Sequence, residues 1–225
     1  MKKLKKTSLY DKHILLNAKL GPFGGYSMPI NYKEGIRKEY FYVRNDVGMF
    51  DVSHMGQIEV KGLGSTDYLN NLLSSNIDKL KEGQALYTLI CNQINGGIID
   101  DLIIYKRKDS FFLVVNASNI EKDYNWLCEN ANSTVTVINK SDDYSLIALQ
   151  GPNSRKIMKK FKIQNLEKLK YFNFIETKIL DEKVIFSRTG YTGELGYEIY
   201  CNHSTAKKLW DQLLNLNVNP IGLAA

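Results

Sequence analysis

Three short runs in the middle of this chain constrain its fold more than any other feature: Ala85-Leu86-Tyr87-Thr88-Leu89-Ile90-Cys91, Asp101-Leu102-Ile103-Ile104-Tyr105 and Phe111-Phe112-Leu113-Val114-Val115-Asn116. Their aromatic and branched side chains read as half-buried or buried strands, and the Lys108-Asp109-Ser110 turn between the last two predicts a meander of hairpins. Gln57-Ile58-Glu59-Val60-Lys61 alternates and adds a further strand. Helical patterns lie between these runs. Ser65-Thr66-Asp67 is expected to cap a helix carrying Tyr68, Leu69, Leu72 and Leu73, and Ser118-Asn119 one carrying Ile120, Tyr124 and Leu127. Asn153-Ser154 opens a helix through Ile157, Met158 and Phe161, and Ser204-Thr205 opens the last, through Leu209, Trp210, Leu213 and Leu214. The mixture predicts an α+β fold with antiparallel sheets, not a doubly wound parallel sheet.

With 225 residues and 44% hydrophobic content, the chain can bury a sizeable core as one large domain or two intertwined small ones. No apolar run approaches the roughly 18 residues that span a bilayer, and Met1-Lys2-Lys3-Leu4-Lys5-Lys6 lacks the apolar stretch of a secretory signal. Lys2 to Lys6 reads as a solvated tail. Cys91, Cys128 and Cys201 are odd in number and far apart, which argues against a disulfide framework or a C-x-x-C metal site and fits a reducing cytosol. A net charge of +6 favours an acidic partner or an anionic ligand, while no RNP-like or helix-turn-helix signature selects nucleic acid.

Several segments have the composition of a site. Gly190-Tyr191-Thr192-Gly193-Glu194-Leu195-Gly196-Tyr197-Glu198-Ile199 interleaves glycines with aromatics and carboxylates before a strand-like exit. Glycine permits positive φ and close approach to a ligand, and Tyr and Glu suit a flat heterocycle. The spacing is not the dinucleotide fingerprint G-x-G-x-x-G, and a glycine-rich hairpin turn with an exposed Glu would look the same. In Asn95-Gly96-Gly97-Ile98-Ile99-Asp100-Asp101-Leu102, strand alternation sends the two carboxylates to opposite faces, so one points inward. A buried carboxylate is paired or shifted in pKa and serves acid/base or ammonium-orienting chemistry; alternatively the pair finishes a turn. His54 has no nucleophile near it in sequence and reads as a hydrogen-bonded structural residue. Asn116 stands at a strand end, where its amide either reads a ligand edge or caps the next helix.

In order along the chain, Thr7-Ser8-Leu9-Tyr10-Asp11-Lys12-His13, Phe23-Gly24-Gly25-Tyr26-Ser27-Met28-Pro29-Ile30, Phe50-Asp51-Val52-Ser53-His54-Met55, Gly96-Gly97-Ile98-Ile99-Asp100-Asp101-Leu102-Ile103, Val115-Asn116-Ala117, Leu149-Gln150-Gly151-Pro152 and Gly190-Tyr191-Thr192-Gly193-Glu194 resemble the glycine cleavage system T-protein family, the aminomethyltransferases. The resemblance runs nearly end to end and implies a cytoplasmic, tetrahydrofolate-dependent enzyme. It would pass the methylene of an aminomethyl group, carried on the dihydrolipoyl arm of the H-protein, to tetrahydrofolate with release of ammonia. It assigns Asp101 as the catalytic carboxylate, Glu198 as the pterin-holding one, and Tyr191, Asn116, Tyr87 and Met55 to the folate cleft. It implies no metal and no role for His54. It further implies two interleaved α+β domains with the folate site between them, one near residues 1–53 and 140–225, the other, residues 54–139, inserted. Family members continue past Gly222-Leu223-Ala224-Ala225 into an Arg-Asp-x-Leu-Arg segment and a C-terminal β-barrel, both absent here, so the sequence is expected to be a fragment with part of the folate site missing. Two relatives of other classes share the scaffold: folate-dependent demethylases of small amine or sulfonium compounds, and a folate-binding iron-sulfur assembly factor whose cysteine signature is not matched here.

Overall fold

A computed structural model describes residues 3–225. Its first elements are helix α1 (Tyr10–Leu15), strands β1 (Lys19–Phe23) and β2 (Tyr26–Asn31), helix α2 (Ile36–Asn45) and strands β3 (Gly48–Asp51) and β4 (Gly56–Lys61). Helix α3 (Ser65–Leu72), strands β5 (Ala85–Cys91), β6 (Ile98–Lys106) and β7 (Ser110–Val115), helix α4 (Ile120–Glu129) and strand β8 (Thr136–Asn139) follow. Strand β9 (Ser145–Gln150), helix α5 (Ser154–Met158), strands β10 (Phe174–Ile179), β11 (Glu182–Ser187) and β12 (Gly196–Cys201), helix α6 (His203–Asn215) and strand β13 (Asn219–Pro220) complete it. The fold is α+β and its sheets are antiparallel apart from the β13–β3 pair. The chain separates into two compact units, one running to His54 and resuming at Asp143–Ala225, the other Met55–Asp142.

The discontinuous unit holds a six-stranded sheet in the order β10-β11-β12-β9-β3-β13 and the β1-β2 hairpin. Helix α6 packs its stripe of Ala206, Leu209, Trp210 and Leu213, all fully buried, into the core with Leu149, Phe186 and Ile199. That spacing is the 3.6-residue period of one helical face, and truncating a buried Trp such as Trp210 costs about 3–5 kcal/mol. The helix begins earlier than Ser204: the Asn202 side chain accepts from the Thr205 N–H at 2.9 Å and is the cap. The basic start is not simply a solvated tail. The Lys5 N–H donates to Gly25 at 3.0 Å and its carbonyl accepts from Ser27 at 2.9 Å, which pins the backbone along the β1-β2 hairpin while the lysine side chains stay exposed. Lys2 lies outside the described residues.

A wholly buried polar chain links distant parts of this unit. Asp51 Oδ2 accepts from Thr7 Oγ1 at 2.6 Å and meets His13 Nε2 at 2.9 Å, Asp51 Oδ1 accepts from Ser53 N–H, and Tyr32 Oη lies 2.8 Å from His13 Nδ1. Burial, with the Asp51 and Glu39 charges, pushes the Tyr32 phenol far up, so it stays protonated beside Nδ1, while Nε2 faces the Asp51 carboxylate. Asp51 and His13 are fully buried, so this relay holds the fold together and is closed to a substrate.

The continuous unit is a five-stranded antiparallel sheet in the order β5-β6-β7-β4-β8, and each strand run read from the sequence is found there. Ile58, Val60, Ile90, Leu102, Ile104, Leu113 and Val115 point to one face and pack against Tyr68, Leu69 and Leu72 of α3 and Leu127 of α4. Capping differs from the simple expectation. Ser65 turns its hydroxyl back to the Gly62 carbonyl, and neither it nor Asn119 makes a side-chain cap bond.

Candidate functional site

The sheet of the continuous unit has a helical face and an opposite face, and alternation divides Asp100 from Asp101 between them. Asp100 falls in phase with Leu102 and Ile104 and is buried on the helical face. Asp101 lies opposite Leu89, on the face that carries Tyr87, Ile103 and Val114, and is half-buried. The inward carboxylate is therefore Asp100, while Asp101, the one assigned chemistry, remains accessible. The reason is the side on which α3 and α4 pack, and alternation alone does not set this.

Asn116 continues β7 into register with Asp101. Its Nδ2 lies 3.0 Å from Asp101 Oδ1, 3.2 Å from the Asp101 carbonyl and 3.1 Å from Asp100 Oδ1. The amide caps no helix, since the turn that follows has no side-chain cap bond. It holds both aspartates at the strand end instead. Tyr87, 53% exposed, stands one diagonal step from Asp101 on the same face. Met55 directly precedes β4, half-buried, and its carbonyl accepts from Gln57 Nε2 at 2.8 Å. One sheet face thus gathers an oriented carboxylate, an amide and an aromatic ring.

Glu198 and Tyr191 belong to the discontinuous unit. Glu198 is half-buried on β12, opposite Ala148 and Ser187, and Thr189 Oγ1 donates to its Oε2. Tyr191 is fully exposed on the loop between β11 and β12. The loop does join neighbouring antiparallel strands, as a hairpin would, but Gln150 shapes it from below. Gln150 Nε2 donates to the Thr189 and Tyr197 carbonyls, and its Oε1 accepts from Thr192 Oγ1 at 2.9 Å. A Cβ on Gly190 or Gly196 would stand 2.1 Å from that Oε1, so space demands both glycines, and Gly193 alone uses a positive φ, +74°. Arg44 Nη1 ties the outer part of the loop through the Thr192 carbonyl at 3.0 Å and Glu194 Oε1 at 2.9 Å.

Nothing in the sequence marks Arg44 or Thr189 for a role, and Gln150 stands out only as part of the Leu149-Gln150-Gly151-Pro152 motif. His54 is buried, edge-on to the rings of Phe23 and Tyr26, and burial lowers its pKa; it is held by ring contacts and not by the hydrogen bond expected of it at Nδ1, which has no partner among the described residues. Among the described residues no helix is long and apolar enough to cross a membrane.

The GCVT N-terminal domain family model matches residues 9–225. The chain belongs to this family. Curated members with 48% identity, both spanning 99% of this chain, are the aminomethyltransferases of Halothermothrix orenii and Thermosipho melanesiensis. This GCVT-family chain covers 63% and 61% of their respective lengths. The crystal structure of glycine cleavage system aminomethyltransferase T from Bartonella henselae superposes with a TM-score of 0.91 at 34% identity, over 99% of this chain and 61% of that one. A heterotetrameric sarcosine oxidase from Corynebacterium shares the fold alone, at a TM-score of 0.59 and 14% identity.

Proposed function

We propose that the protein is the tetrahydrofolate-dependent aminomethyltransferase of a cytoplasmic glycine cleavage system, taking its one-carbon unit from the aminomethylated dihydrolipoyl arm of the H-protein. The observation that carries this reading is the half-buried Asp101 carboxylate, oriented by the Asn116 amide, in a chain 48% identical to proteins named aminomethyltransferase. When the carbon–nitrogen bond of the aminomethyl group breaks, ammonia leaves and positive charge grows on the methylene carbon. Tetrahydrofolate supplies the two nitrogens that capture that carbon, one in place of the departing ammonia and the other in place of the lipoyl sulfur. The bond from that sulfur to the carbon breaks, the sulfur leaves as the dihydrolipoyl thiol, and the two N–H protons go to the ammonia and the thiol. A fixed carboxylate stabilises such charge without reorganising during the step, which is the role given to Asp101. The residue types also suit the pterin: Glu198 offers a carboxylate, steadied by Thr189, of the kind that pairs with amino and ring N–H groups, and Tyr87, Tyr191 and Met55 offer stacking and soft surface. On this reading the two units are the halves of an interleaved pair of domains.

The test is ammonia release by the full-length protein from aminomethylated H-protein and tetrahydrofolate. Release well above that of an Asp101→Asn variant is expected, and none above it rejects the proposal. Release of the one-carbon unit from a small methylated amine instead would favour the demethylase reading.

A further inference from the structure

Asp123 on α4 is wholly buried, and the group it meets is another acid, Asp100. Neither oxygen of Asp123 nor Oδ2 of Asp100 has a hydrogen-bond partner among the described residues, and the two buried carboxyls act on each other, so a hydrogen shared between them is what would satisfy them. Ionised carboxylates only accept, so one of the pair carries the hydrogen. The neighbouring cation does not replace it. Lys122 Nζ is 3.9 Å from Asp123 Oδ1 and donates instead to the Ile99 carbonyl at 2.7 Å. Burial, then the bond to Asp100 and its charge, push Asp123 up to about 8, with a further push from Asp101 and only partial relief from Lys122. Burial also raises Asp100, but bonds from Asp123, Asn116 and Asn119 outweigh it and hold Asp100 below the usual carboxylate range. The hydrogen therefore sits on Asp123 at neutral pH, and Asp100 is the charged acceptor.

The other oxygen of Asp100 is the one bound by Asn116 Nδ2, the same nitrogen that holds Asp101 Oδ1. We propose that Asp123 is a positioning residue for Asp101: the hydrogen it shares with Asp100 keeps Asp100 anchored on Asn116, and Asn116 in turn aims the Asp101 carboxylate. The chain of contacts runs through the sheet, from the helical face to the face that carries Tyr87. It rests on the reading of Asp101 as the group that stabilises the reacting carbon. Without that hydrogen, two like charges face each other in an apolar core and Asp100 is driven off its partners.

The experiment uses the full-length protein as wild type, Asp123→Asn and Asp123→Leu, with folding checked by circular dichroism. An Asn side chain supplies a permanent N–H in place of the acid hydrogen; Leu supplies none. Carbon-13 NMR of labelled aspartates should show one carboxyl protonated at pH 7 in the wild type and titrating near pH 8, missing in Asp123→Asn. The Asp101 carboxyl signal should keep its position in Asp123→Asn and move or broaden in Asp123→Leu. In the ammonia assay, kcat should fall roughly ten- to hundredfold in Asp123→Leu, as expected for a misplaced reacting group, while KM for folate holds. Asp123→Asn should lose the wild type's decline above pH 8. A pair fully ionised at pH 7, or an Asp101 signal unmoved in a folded Asp123→Leu, overturns the proposal. Should Asp123→Leu fail to fold, a wild-type Asp101 signal that does not follow the titration near pH 8 overturns it equally. Absence of ammonia from the wild type would reject the enzymatic reading, and the NMR arms would still decide whether Asp123 positions Asp101.

Discussion

Gln150 lies so close to Gly196 that a Cβ on the glycine would stand 2.1 Å from its Oε1. The same amide crowds Gly190, and its three hydrogen bonds fix the base of the loop that carries Tyr191. Gly196→Ala should therefore destabilise the protein by about 1–3 kcal/mol, the usual cost of overpacking. In a Gln150→Ala background the same substitution should cost less by about 0.5 kcal/mol or more, the signature of residues in contact. Chemical denaturation of the four proteins of this cycle measures both, and strict additivity would show that the amide is not the obstacle.

Asp101 and Glu198 are predicted to fail in different ways. If Asp101 stabilises the reacting carbon as proposed, Asp101→Asn removes that charge and should lower kcat by about a hundredfold or more with little change in folate affinity. If Glu198 holds the pterin as proposed, Glu198→Gln puts an N–H where an acceptor is required and should weaken folate binding by about 1.5–3 kcal/mol, roughly ten- to hundredfold in Kd, with kcat at saturating folate nearly kept. Calorimetric titration beside steady-state kinetics separates the two. Equal loss of both parameters in both variants would contradict the division of roles.

Asp51 governs acid stability. Burial raises its pKa, but the His13 bond and charge, the Ser53 N–H and Thr7 outweigh burial and leave it below the ordinary 3.8. A depressed folded pKa means that the folded state binds the proton less well than the unfolded chain, so this contribution is present above about pH 4 and is lost as pH falls through the folded value. Asp51→Asn should cost about 3–5 kcal/mol at neutral pH, because it breaks a buried pair, and should flatten the acid limb of stability against pH. Urea denaturation between pH 3 and pH 7 reads both effects.

The excess of Lys and Arg, +6 in all, predicts that association with an acidic carrier weakens with salt. Screening shortens from about 10 Å at 0.1 M to about 3 Å at 1 M, so Kd for the proposed partner, the H-protein, should rise steeply over that range. Titration by fluorescence anisotropy would show it, and a salt-independent Kd would remove charge from the account.

The local elements were legible because their signals are local. Strands β5, β6 and β7 announce themselves by composition and alternation, helix α6 by the spacing of Leu209, Trp210 and Leu213, and the separation of Asp100 from Asp101 by the two-residue period of a strand. Caps are less legible. Several Ser and Asn residues stand at helix starts, and the choice among them depends on backbone geometry that composition does not encode; hence Asn202 caps α6 where Ser204 was expected.

Everything beyond one period needed the folded chain. The sequence by itself determined that one aspartate of the pair would face a core, and only the packing of α3 and α4 on one side of the sheet decided that it is Asp100. Likewise the glycines of the 190–196 loop were evident as residues, but a side chain some forty positions away, Gln150, is what excludes a Cβ at two of them. Asp123 left no mark at all beside ordinary helix residues until β6 brought Asp100 against it. Periodicity records which way a side chain leaves its own backbone, whereas the partner it meets is chosen by chain segments far away in sequence, and that choice exists only once the sheet and its helices have closed.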